Sequence, residues 1–179
     1  MRYELLVAAT FVRAGFEVEP EDESDSTTKH PEFVATHRTA KFVVAVEAKA
    51  RNRRPSDRNP ARAGVDNLIE NAAEKAPRDM PFALFVDVAM PPEDRDKPPS
   101  WLDEVDQSVK QVVAKHGGMP GPFDWVFFTS IPHQFGLTGE PDPPRHYIDW
   151  VPRTTRVPTE IRAAIVTAVQ QYGRIPEFE

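Results

Sequence analysis

The sequence predicts an α/β sandwich whose central sheet is mixed, and three observations carry that expectation. An amphipathic run at the N-terminus has helical period, and short runs of period two follow it. Residues 81–92 (PFALFVDVAMPP) are too apolar for a strand with one wet face, so they call for a sheet covered on both sides. Beyond them, helical and strand-like runs alternate, as in a layered α/β domain.

Each element has its own reason. Residues 2–14 (RYELLVAATFVRA) are good helix formers with apolar positions at 5, 8, 9 and 12, and Gly15 follows as a stop. Residues 16–19 alternate apolar and acidic like a short strand, and the acidic stretch EVEPEDESD (17–25) runs on into a solvated loop. Residues 33–36 and 42–48 read as strands around HRTA, a turn-length segment without the Asn-Gly or Asp-Gly signal. A loop with Pro55 and Pro60 leads to a helix at 65–76 (VDNLIENAAEKA), closed by Pro77. After the apolar strand and a proline-rich loop, Ser100-Trp101-Leu102-Asp103 suggests a capping box opening a helix that runs to His116, stopped by Gly117-Gly118. Residues 124–130 (DWVFFTS) form a further strand, a strand-poor tail follows, and residues 158–172 make a last helix with Ile161, Ile165, Ala168 and Tyr172 on one stripe and Gly173 at its end. With 179 residues, 40% of them apolar, the chain fits one domain, its core at about 1–90 and a C-terminal elaboration at about 91–179.

Composition removes several function classes. There is no cysteine, so disulfides and thiolate metal sites are excluded, and the five histidines show no HExxH-like spacing. A metal would sit mainly on carboxylates, which suits Mg²⁺ or Mn²⁺ rather than zinc. No apolar run approaches the roughly 20 residues that span a bilayer, and the N-terminus lacks a signal-cleavage pattern, so a soluble, cytoplasmic protein without membrane contact is expected. The net charge of −6 argues against a bulk nucleic-acid coat. Charge is nonetheless uneven: residues 49–62 (KARNRRPSDRNPAR) carry one lysine and five arginines against the single acid Asp57.

That basic segment directly follows the most unusual strand. In residues 42–48 and just beyond, Val43, Ala45, Glu47 and Lys49 share one face while Val44, Val46 and Ala48 share the other. Glu47 and Lys49 therefore point the same way, about 7 Å apart along the strand, at the end of a run that looks buried. Charges near a core lose hydration unless they are paired, bind metal or do chemistry. If residues 33–36 pair back through the HRTA turn, Glu32 lies beside the later part of this strand, and two carboxylates and an ammonium converge.

Pro31-Glu32, fourteen intervening residues and then Glu47-Ala48-Lys49 resemble the signature of the PD-(D/E)XK phosphodiesterase superfamily. The helix, three strands, helix, strand order over residues 2–89 is similar to that family's core, and Glu4 resembles the extra acid many members carry on their first helix. The first motif acid of the family is usually Asp, and here it is Glu32. The resemblance covers roughly the first half of the chain. It implies a restriction-endonuclease-like α/β/α sandwich and a Mg²⁺- or Mn²⁺-dependent endo- or exodeoxyribonuclease. Glu32, Glu47 and the Ala48 carbonyl would be metal ligands and Glu4 an outer or second-metal contact. Lys49 would orient or activate the attacking water and stabilise charge on the phosphate. Arg51, Arg53, Arg54, Arg58 and Arg62 would hold the nucleic-acid backbone, expected to be DNA. A homodimer or larger complex is compatible with this.

Each feature has a structural alternative. A Glu-x-Lys pair at a strand end is commonly a surface ion pair worth under ~1 kcal/mol. Glu4 can be solvated, the arginine segment a solvated loop, and Asp87 a buried hydrogen-bonded acid. His133 and His146 with Asp149 have no catalytic spacing and read as loop or core residues, and Trp125, Phe127 and Phe128 read as core before a base-stacking platform. At the level of function, the alternative is a catalytically inactive nuclease-fold binding or regulatory module, for which Glu32 in place of Asp and the acidic total charge are support.

Overall fold

The structure, a computed structural model, describes residues 2–21, 30–51, 63–90, 97–118, 121–130 and 146–171. Four helices and six strands follow one another as α1 (Arg2–Arg13), β1 (Phe16–Pro20), β2 (Phe33–His37), β3 (Val43–Ala50), α2 (Asp66–Ala73), β4 (Phe82–Asp87), α3 (Leu102–Lys115), β5 (Trp125–Ser130), β6 (His146–Trp150) and α4 (Thr159–Gln170). The six strands lie side by side in chain order in one sheet. The pairs β1–β2 and β2–β3 are antiparallel, β3–β4 and β4–β5 parallel, and β5–β6 antiparallel, so the sheet is mixed as expected.

Strand alternation assigns the two faces. Ala45, Phe82, Leu84, Val86, Val126 and Phe128 point into a core closed by Ile69 and Ala72 of α2 and by Val105, Val109 and Val113 of α3. Val44, Val46, Ala48, Ala83, Phe85, Trp125 and Phe127 point the other way, beneath Tyr3, Val7 and Phe11 of α1 and Ile161, Ile165 and Val169 of α4. On this second face Phe11 meets Phe16, Phe33 and Phe85 edge-on, with ring centroids 5.1, 5.6 and 5.5 Å apart. The sheet is therefore sandwiched by α2 and α3 on one side and α1 and α4 on the other.

Local chemistry sets the boundaries. Gly15 ends α1 at φ 91°, a left-handed angle natural to glycine, with its N–H bonded to the Val12 carbonyl at 3.1 Å. The turn between β2 and β3 extends past HRTA to Lys41, which adopts φ 52°. His37 supports the turn by accepting the Ala40 N–H on Nδ1 at 3.1 Å. No Asn-Gly is needed because a side chain holds the loop.

Three expectations are corrected. The tail contains β6, an edge strand hidden in the sequence by the neighbouring prolines, whose Ile148 and Trp150 pack on the α2/α3 core. Trp101, rather than Ser100, occupies the N-cap of α3 without a side-chain cap bond. Its ring is 1% exposed. Helix α2 is shorter than 65–76, ending at Ala73 with Glu74 and Lys75 in the turn that follows. The stripe Ile161, Ile165 and Ala168 is buried as expected, while Tyr172 and Gly173 lie outside the described residues. Among the described residues no helix is long and apolar enough to cross a membrane.

Candidate active site

Strand β3 is the third of six, so its charges stand in the interior of the sheet and not at its edge. Glu47 lies on the Ala45 face, level with Leu84 of β4, and is 0% exposed. Glu32 reaches the same place from the residue just before β2. Its N–H donates to the Val46 carbonyl at 3.0 Å and its own carbonyl accepts the Glu21 N–H at 3.3 Å, so the backbone is held by both neighbouring strands. With Phe33 opposite Val46, Glu32 falls beside Glu47.

Lys49 joins the two acids. Its Nζ donates to Glu32 Oε1 at 3.0 Å and lies 2.5 Å from Glu47 Oε1. The structure thus brings together the three residues that the sequence nominated. It also adds one that sequence reasoning missed: Lys75, in the turn after α2, places Nζ 2.8 Å from the same Glu47 oxygen and 3.7 Å from Glu32 Oε1.

The four charges are unequally wet. Glu47 is sealed, whereas Lys49, Lys75 and Glu32 keep side-chain exposures of 23%, 26% and 17%. The cluster therefore opens to solvent on the lysine side. Neither Glu47 oxygen has a well-aligned hydrogen-bond partner among the described residues, despite the short ammonium contacts on Oε1. Burial pushes the Glu47 carboxyl above its ordinary pKa, and the two lysines only partly offset this. Burial would lower the Lys49 ammonium, yet the close contact and charge of Glu47, followed by the hydrogen bond and charge of Glu32, outweigh it and raise its pKa.

The donor set is hard. Two converging carboxylates, one with buried and poorly satisfied oxygens, fit Mg²⁺ or Mn²⁺ better than a softer ion. Among the described residues no group of three or more His, Cys, Asp or Glu gathers to hold a metal, so further positions would fall to the Ala48 carbonyl and to water. Glu4 is half-buried in the first turn of α1, a helix whose Tyr3, Val7 and Phe11 pack on the Val44, Val46 and Ala48 face of β3.

The remaining candidates separate. Arg51 directs Nη1 at the Ala63 carbonyl, 2.6 Å away, so one arm of its guanidinium holds backbone. Glu104 of α3 fastens the same stretch by accepting the Ala63 and Gly64 N–H groups at 2.8 and 2.9 Å. Arg53, Arg54, Arg58 and Arg62 lie outside the described residues, as does His133. Asp149 on β6 lies 3.4 Å from Arg162 of α4. Asp87 is fully buried and accepts the Ala89 N–H at 3.3 Å, on the face where Tyr3 donates to or accepts from Thr129 Oγ1 at 2.9 Å. Burial, then the Asp87 charge, holds the Tyr3 phenol well above its ordinary pKa. Trp125 and Phe127 are core on the α1/α4 face and Phe128 is core on the other. Compared with family models, with curated proteins and with solved structures, the chain matches none.

Proposed function

We propose that the protein is a metal-dependent nuclease of restriction-endonuclease-like fold that hydrolyses phosphodiester bonds of DNA with Mg²⁺ or Mn²⁺. The observation that carries this reading is the meeting of Glu32, Glu47 and Lys49 at one partly open spot beside β3. A buried carboxylate held against two ammoniums is a costly arrangement, of the kind kept at sites that do chemistry. The helix, three strands, helix, strand order of the first ninety or so residues supports the reading, being the order for which the chain was likened to that family.

In this reading Glu32 and Glu47, with the Ala48 carbonyl, would hold the dication, which would supply positive charge for the phosphate and for activation of water. Lys49, ion-paired with both acids, would orient the attacking water and stabilise charge developing on the phosphate. Glu47 is shut off from solvent, so substrate would approach from the partly exposed lysine side.

A second reading is favoured by one observation: two ammoniums meet two carboxylates, a cluster that balances its own charge without metal. That suits a binding or regulatory module with the nuclease fold. Incubating supercoiled plasmid with wild type and Glu47→Gln across a Mg²⁺ and Mn²⁺ titration separates the two. Nicking by wild type alone, abolished by chelator, is expected; plasmid left intact at every metal concentration would favour the module.

A further inference from the structure

The nuclease reading leaves Lys75 without a role, although its ammonium lies 2.8 Å from Glu47. We propose that Lys75 is a second phosphate-binding cation of this site, stored on Glu47 until a divalent ion takes that carboxylate. The inference rests on the nuclease reading and adds to it a residue and a step.

Geometry separates the two lysines. Both ammoniums crowd one oxygen, Glu47 Oε1, at 2.5 and 2.8 Å. Lys49 also makes a 3.0 Å hydrogen bond to Glu32, whereas Lys75 stands 3.7 Å from that acid, beyond hydrogen-bond reach. Lys75 is therefore held at the site chiefly by Glu47. A dication on Glu47 would remove its anchor and repel it, while Lys49 keeps a second partner.

Charge says what the released lysine would take. Two carboxylates and two ammoniums sum to zero, so a dication bound to the acids leaves two positive charges in excess. An anion with several acceptor oxygens satisfies that excess, and a backbone phosphate offers them. Mobility is on the correct partner as well. Glu47 is immobile in the core, but Lys75 is 26% exposed, lies past the end of α2, and carries its charge on a flexible four-carbon arm. It can swing outward without disturbing the sheet.

The test uses two binding measurements that need no turnover. Mn²⁺ binding is followed by calorimetry for wild type, Lys75→Met and Lys75→Arg, and a short DNA duplex is titrated by anisotropy in saturating Ca²⁺. Lys75→Met removes a cation that competes with and repels the metal, so it should bind Mn²⁺ roughly tenfold more tightly. It should also bind the duplex roughly tenfold more weakly, while Lys75→Arg stays near wild type on the duplex. Both affinities of Lys75→Met within twofold of wild type, or tighter Mn²⁺ binding with an unchanged duplex affinity, would overturn the role of Lys75 and leave the nuclease reading standing. Wild type that takes up no Mn²⁺ would overturn both. Should Lys75→Met fail to fold, Lys75→Gln, which keeps a donor for Glu47, is measured in its place.

Discussion

Glu47 and Lys49 stand on one face of β3 with Lys49 Nζ 2.5 Å from Glu47 Oε1, and the carboxylate is closed to solvent. Removing Lys49 leaves Glu47 to Lys75 alone, beside a second acid. Without metal, Lys49→Ala should therefore lose about 1–3 kcal/mol of stability, because a buried charge loses one of its partners. Added Mg²⁺ should restore the melting temperature but not cleavage, which should stay about 10²–10³-fold below wild type. Full plasmid nicking by Lys49→Ala would remove Lys49 from the mechanism.

The α1 face should be silent in the same assay. Tyr3 bonds Thr129 on the side of the sheet away from Glu47, so Tyr3→Phe should cost about 1 kcal/mol in urea denaturation. Mn²⁺ affinity and nicking rate should be unchanged. A large loss of cleavage at full metal affinity would bring α1 into the site.

A third expectation concerns acid stability. Asp124, at the start of β5, accepts Arg156 Nε at 2.9 Å, Arg156 Nη2 at 2.7 Å and the Arg156 and Phe82 N–H groups at 3.0 Å each. Burial raises its pKa, but the Arg156 hydrogen bond and then the backbone bonds outweigh this, and the folded value lies below the ordinary one of 3.8. The unfolded chain thus binds the proton more readily. The stabilisation is full above the unfolded pKa and disappears as pH falls through the folded value. Asp124→Asn should cost about 1–3 kcal/mol at pH 7, with the gap to wild type closing below roughly pH 4. A gap that widens in acid would contradict the assignment.

Salt dependence tests the basic segment. If Arg53, Arg54 and Arg58 touch phosphates, changing all three to Gln should reduce the slope of log K against log salt by on the order of 2–3, close to one per contact. Arg51 is left out because its Nη1 is already engaged by the Ala63 carbonyl. An unchanged slope would place the nucleic-acid surface elsewhere.

The residues that proved legible in the sequence are those whose neighbours are fixed by local pattern. Period two put Glu47 and Lys49 on one face, and a short turn put Glu32 beside them, because hairpin register follows from turn position. Lys75 was hidden for the opposite reason. Its place depends on β4 starting opposite Ala45, which brings the end of α2 to the level of Glu47, and parallel register leaves no mark in sequence. The place of Glu4 was not legible, because helical period marks the buried stripe of α1 but not which face of the sheet receives it. Strand β6 was missed because an edge strand with one dry face, at Ile148 and Trp150, carries a weak signal beside clustered prolines.

The most direct measurement is the anomalous scattering map of a crystal grown with Mn²⁺. Density between Glu32 and Glu47, at about 2.0–2.3 Å from a carboxylate oxygen of each, with Lys75 withdrawn from Glu47, is the expected result. A map without a peak there, in crystals soaked to saturation and with Lys49 and Lys75 still bound to the two acids, would contradict the metal-dependent site.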